Sequence, residues 1–262
     1  MNAEAAQRYH SRHKPQALLV RKRGETLLEA YDGEFAPGTP HALYSGTKSF
    51  WGIAALEAQR EGLLQLDERV WNGATFRQLL SLTAGVPFGG LGSAVPAYEK
   101  ALQTLPNAAP GERFTYGGIP LQIFGAIFSK RLEPLGMTPH AYLRERILSP
   151  ASVNVSKWRE LKDGTSPLPT GAFLTAAQWA KYGTYVLDHR DRFAEAFTGS
   201  DANPRYGLGW WLAPPKAPAD LFYASGSGGQ AMYVLPSQEL VVVRFGGGGS
   251  FNHEAFLRAC FS

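Results

Sequence analysis

Strand-like runs stand at both ends of this chain, and helical spacing of apolar residues fills the stretch between them. Residues 17–23, a turn at Gly24 and residues 26–31 read as a β-hairpin. Towards the other end, residues 207–212, 221–224, 230–235 and 239–245 are strand candidates, the last two joined by the short loop Pro236-Ser237-Gln238. From Gly62 to about Thr165 the pattern is helical or loop-like. An amphipathic helix is expected at 75–83, stopped near Gly85, and a longer one at 119–132 with Pro120 well placed in its first turn. A third covers 140–148 and ends before Pro150. A helix with a polar start follows at 175–187, and a closing helix at about 252–259. These elements predict an α+β fold, an α/β sandwich in which an antiparallel sheet built from both chain ends is flanked by helices, with a helical lobe inserted. The expected organisation is one domain, 1–262, its α/β part drawn from 15–60 and 170–262 and its lobe from 61–169.

Candidate chemistry begins where the first strand region meets a long apolar helix, at Leu43-Tyr44-Ser45-Gly46-Thr47-Lys48-Ser49-Phe50. Positions i and i+3 share a helix face, so the Lys48 amine is expected beside the Ser45 hydroxyl. Serine is a weak nucleophile at neutral pH unless a neighbour takes its proton, which Lys48 is positioned to do. The bland alternative is that Ser45 caps the helix. Ser-x-x-Lys also occurs at Ser11-Arg12-His13-Lys14, but no apolar helix follows, and that stretch, with His10 and His13, reads as a solvated, frayed terminus.

Two further segments carry polar groups suited to the same chemistry. Tyr116, in the loop Pro110-Gly111-Glu112-Arg113-Phe114-Thr115-Tyr116-Gly117-Gly118, can point its phenol into a cleft, where a nearby lysine would lower its pKa and make it a base. The alternative is an ordinary amphipathic core tyrosine. Tyr223-Ala224-Ser225-Gly226-Ser227-Gly228-Gly229-Gln230 lies between strands, and its small residues leave backbone N–H groups open to an oxyanion. Gly226 to Ala231 also matches G-x-G-x-x-[GA], but a strand rather than a helix follows, which removes the dinucleotide reading.

Together, Ser-x-x-Lys opening an apolar helix, a tyrosine after Pro-Gly-x-x-Phe and a late Gly-rich strand edge resemble the serine β-lactamase and penicillin-binding-protein family, above all its class C and esterase branches. The stretches at 76–85, 174–180 and 206–211 are similar to framework segments of that family. The resemblance implies Ser45 as nucleophile, Lys48 as its partner, Tyr116 as shared base, and the N–H groups of Ser45 and Ser227 as oxyanion hole, in a single catalytic domain of β-lactamase/transpeptidase-like fold. Two departures bear on the substrate. The family's Tyr-x-Asn reads Tyr116-Gly117-Gly118, and its Lys-Thr-Gly or His-Thr-Gly reads Ala224-Ser225-Gly226. The missing amide and cation argue against β-lactams and peptidoglycan stems, since a bound carboxylate would lose a charge-assisted partner typically worth ~1.5–3 kcal/mol. Esterases and nylon-oligomer amidases of this fold are the nearer likeness. Gly118, Ser225 and Gly226 are the expected substrate-binding residues, Gly117 and Gly118 are read as opening the pocket, and Arg244 is either a replacement cation or a solvated strand end. The expectation is a serine hydrolase cleaving small esters or linear amides through an acyl-enzyme. The alternatives are a weak or inactive binding protein of the same fold, or a true β-lactamase or D-Ala carboxypeptidase.

Composition narrows the rest. With 262 residues the chain can bury a sizeable core. A net charge of +4, with no basic run beyond Arg21-Lys22-Arg23, gives nucleic-acid binding little support. The single cysteine, Cys260, excludes an intrachain disulfide and reads as a small buried hydrophobe. His253-Glu254 begins H-E-x-x-H, but Leu257 fills the second histidine's place, and no G-x-S-x-G elbow occurs. The expected partner is a small ester or amide, with no metal, cofactor, nucleic acid or membrane. No signal-peptide pattern opens the chain, so the expected location is the cytoplasm, or the periplasm if a leader was trimmed.

Overall fold

A computed structural model describes residues 1–261. In chain order the elements are α1 (Ala3–Ser11), β1 (Pro15–Lys22), β2 (Glu25–Tyr31), β3 (His41–Ala42), α2 (Ser49–Arg60), β4 (Arg69–Trp71), β5 (Ala74–Thr75), α3 (Phe76–Leu80), α4 (Tyr98–Leu102), α5 (Ile119–Leu132), α6 (Pro139–Leu143), β6 (Lys157–Trp158), β7 (Ala172–Leu174), α7 (Ala176–Asp188), β8 (Trp211–Leu212), β9 (Phe222–Gly226), β10 (Gln230–Leu235), β11 (Leu240–Gly246) and α8 (His253–Phe261).

The main sheet has six strands in the order β2-β1-β11-β10-β9-β8. Within it the antiparallel pair β1 and β11 joins the two ends of the chain, with Leu19 opposite Val243 and Lys22 opposite Leu240. Both faces of this sheet are covered. Period-two alternation sends Leu19, Val241, Val243 and Phe245 into one core with α2 and α7, and Leu18, Val20, Leu240 and Val242 into a second core with α1 and α8. Burial on both faces accounts for the unbroken apolar run at 240–243. Helix α2 is buried at every position from Ser49 to Ala58. It carries the first core from the sheet into the helices of the middle segment.

Helices packed on an antiparallel sheet built from both chain ends are the architecture expected. Its details differ from the pattern in several places. The polar N-terminus is not frayed: α1 is capped by Asn2, whose side chain accepts the Ala5 N–H, and His10 is fully buried beside Asp32. Ser11 hydrogen-bonds the Gln7 carbonyl of its own helix. The expected strand at 207–212 forms only at Trp211–Leu212, because Gly209 turns with φ +83° against the Lys48 carbonyl. The helix at 140–148 loosens into a π-turn over Arg144–Leu148. A small sheet in the order β3-β7-β6, invisible to periodicity in such short strands, braces the entry to α2. Among the described residues, no helix is long and apolar enough to cross a membrane.

Candidate active site

Ser45 sits in a 3-10 turn, Tyr44–Lys48, that leads into α2. Tyr44 holds φ +47°, a left-handed conformation that is costly for an aromatic residue. The turn is pinned from outside: the Leu43 N–H donates to Ala172 O at 2.9 Å, and the Tyr182 hydroxyl donates to Ser49 O at 2.9 Å. Ser45 does not cap the helix. It is Ser49 whose hydroxyl donates to a backbone carbonyl of the turn, Gly46 O, at 2.8 Å. Lys48 Nζ instead lies 2.9 Å from Ser45 Oγ and 3.4 Å from Pro169 O. At 1% exposure, and with no carboxylate in salt-bridge range among the described residues, its pKa is lowered by burial to about 7.

Tyr116 is brought to the same place by backbone bonds on either side, from Thr115 N–H to Leu82 O and from Gly118 N–H to Gly89 O, both 2.9 Å. Lys48 Nζ stands 4.8 Å from its ring centroid. The expected fall in the phenol's pKa does not occur. Burial raises it, and the Ser45 hydroxyl offsets only part of that, because a lysine that burial tends to neutralise offers little charge to favour a phenolate.

These side chains face a cavity of about 640 Å³ with an aromatic wall of Tyr44, Tyr116, Trp211 and Tyr223. Ser225, Gly226 and Ser227 form its strand edge. Gly226 is fixed by a close approach: a Cβ there would meet Leu43 O at 2.0 Å. That contact sets β9 against the Ser45 turn, and among the described residues no backbone acceptor takes the N–H of Ser45 or Ser227. Two expectations fail here. Gly118 is not on the cavity wall; its Cβ position meets Gly90 O at 2.0 Å, so Gly117 and Gly118 admit the neighbouring backbone rather than open the pocket. Arg244 is neither a replacement cation nor solvated. It is fully buried away from the cavity, donates to Gly229 O and His13 O, and stacks 3.8 Å from the Phe251 ring centroid.

A family model described as Beta-lactamase matches residues 5–255. The chain belongs to the Beta-lactamase family. A curated relative, Protein flp of Staphylococcus aureus (strain NCTC 8325 / PS 47), is 28% identical over 147 residues, covering 44% of this chain and 30% of the relative. The match thus spans less than a third of that protein's length. Among solved structures, EstCE1, a hydrolase with promiscuous acyltransferase activity, superposes with a TM-score of 0.78 at 14% identity, covering 98% of this chain and 97% of its own. A D-stereospecific amidohydrolase from Streptomyces sp. gives a TM-score of 0.75 at 15% identity, covering 100% and 99%. At these identities the likeness establishes the shared Beta-lactamase-family fold.

Sequence reasoning passed over His253, which it weighed only as a metal ligand. Its ring lines the cavity, with Nε2 3.0 Å from Ser225 Oγ and Nδ1 2.6 Å from the Tyr233 hydroxyl. The signal was present: alternation along β9 and β10 puts Tyr223, Ser225 and Tyr233 on one face, and the closing helix is the element left to cover it.

Proposed function

We propose that the protein is a serine hydrolase that cleaves small esters or linear amides through an acyl-enzyme on Ser45. The observation that carries this reading is the buried Lys48 amine 2.9 Å from the Ser45 hydroxyl. With a pKa near 7, a substantial share of this amine is free to accept a proton at neutral pH. Ser45 Oγ attacks the acyl carbon while its proton passes to Lys48 Nζ. The oxyanion so formed is held by the N–H groups of Ser45 and Ser227. As the bond from acyl carbon to leaving group breaks, the leaving atom takes a proton from the Tyr116 phenol, which Lys48 then reprotonates. Water repeats the attack on the ester of Ser45 and releases the acid. In this scheme Lys48 is the base and Tyr116 a relay that keeps its proton at rest.

Preference for esters and linear amides over β-lactams is supported by the cavity's charge. Its only basic side chains among the described residues are Lys48 and His253, and burial lowers both, so a substrate carboxylate finds no fixed cation. Solved neighbours are described as a hydrolase with promiscuous acyltransferase activity and a D-stereospecific amidohydrolase, but also as β-lactamases and a penicillin-binding protein, so the preference rests on the cavity's charge alone. The test compares kcat/KM for short-chain nitrophenyl esters with that for a chromogenic cephalosporin. Esters are expected to turn over far faster, and the reverse ranking would restore a β-lactamase.

A further inference from the structure

Tyr233, His253 and Ser225 form a chain of three side chains that ends at the cavity. Tyr233 is 2% exposed, and among the described residues the acceptor its hydroxyl reaches is His253 Nδ1, at 2.6 Å. A buried hydroxyl proton without an acceptor costs about 1–3 kcal/mol, so Tyr233 donates to Nδ1. The imidazole proton then resides on Nε2 and is donated to Ser225 Oγ, 3.0 Å away. With an oxygen lone pair thus occupied, the Ser225 hydroxyl has its own proton to offer, and the side open to it is the cavity. The imidazole stays uncharged at neutral pH, since burial, with Arg244 adding to the effect, lowers its pKa to about 4. Tyr233, held far above the usual phenol range by burial, stays protonated as well.

We propose that Tyr233 and His253 are positioning residues that fix Ser225 as a hydrogen-bond donor into the cavity, and that the group it receives is an uncharged oxygen acceptor of the substrate, such as a keto, alkoxy or amide carbonyl oxygen. The proposal rests on the acyl-enzyme reading and names the substrate class of that site. A substrate donor, such as a hydroxyl or ammonium group at this position, meets a proton already pointing at it. A carboxylate gains one neutral donor in place of a cation.

The test has two independent arms. In long-range 1H–15N spectra of the whole protein, His253 is expected to carry its proton on Nε2, and in Tyr233→Phe its unprotonated Nδ1 resonance is expected to move downfield as it loses the phenol proton. A proton on Nδ1 in the wild type overturns the proposal whether or not the protein is catalytic. In the kinetic arm, esters carrying a keto or alkoxy oxygen, on the acyl chain in one set and on the alcohol in another, are each compared with the alkyl ester of equal length. In His253→Phe the kcat/KM ratio of an oxygen-bearing ester to its alkyl counterpart should fall about tenfold in the set whose oxygen reaches Ser225, the worth of one ordinary hydrogen bond, through KM. His253→Gln, whose amide can still donate to Ser225, should recover part of it. An unchanged ratio in both sets in His253→Phe overturns the proposal. Absence of Ser45 acylation in the wild type would instead remove the acyl-enzyme reading while the tautomer result stood.

Discussion

At Lys48 an amine that would keep its proton in water is held at 1% exposure, and burial draws its pKa from 10.5 to about 7. The unfolded chain therefore binds a proton that the folded one gives up between those values, so stability rises with pH across that interval. Lys48→Met removes the burdened group. It should raise the unfolding free energy at pH 7 by roughly 1–2 kcal/mol, by an amount that shrinks towards pH 10, and it should abolish ester hydrolysis. Denaturant unfolding at both pH values checks this. The same pKa predicts that kcat/KM climbs as pH rises through about 7, following loss of the Lys48 proton; a flat profile from pH 5 to 9 would contradict Lys48 as base. The pairing of Ser45 with Lys48 was legible because helical spacing alone sets it. The direction of the Tyr116 shift was not, since it turns on how buried and how charged its neighbour is. Arg244 was misjudged for the same reason: strand position does not reveal that Phe251 and two backbone carbonyls enclose it.

Among the elements, the strand edge of β9 and the 3-10 turn at Ser45 are held at a fixed separation by one absent side chain. Gly226→Ala would drive a Cβ to 2.0 Å from Leu43 O. The clash should cost about 1–3 kcal/mol, and the resulting shift of β9 should lower kcat/KM by roughly 10²-fold. Thermal unfolding and ester kinetics on the same variant measure both, and a variant with native kinetics would show that the edge does not position substrate. Strands β1, β2, β9, β10 and β11 were readable from alternation and turn residues. Strands β3, β6 and β7, two or three residues each, carry no period to read. Gly117 and Gly118 were misread because a close backbone crossing and an open pocket leave the same mark in a sequence.

Across the whole molecule, the chain ends do more than close the fold. Helix α1 lies against α8, where Ala6, Phe256, Leu257 and Cys260 share the second core, and α8 brings His253 to the cavity. Removing residues 1–12 should lower the unfolding free energy by on the order of 2 kcal/mol and raise KM for esters, as thermal melts and kinetics on the truncated protein would show. Assembly of the sheet from both termini was readable from where the strands fall; the ordering of α1 was not, because a nine-residue helix is marginal alone and is held by packing against α8. Acylation of Ser45 is open to intact-mass spectrometry after brief exposure to a panel of nitrophenyl esters, linear amides and β-lactams. An adduct of one acyl group from the esters is expected, mapped to the peptide containing Ser45 and missing in Ser45→Ala. No adduct from any of the panel, or an equal adduct in Ser45→Ala, would rule out Ser45 as the nucleophile.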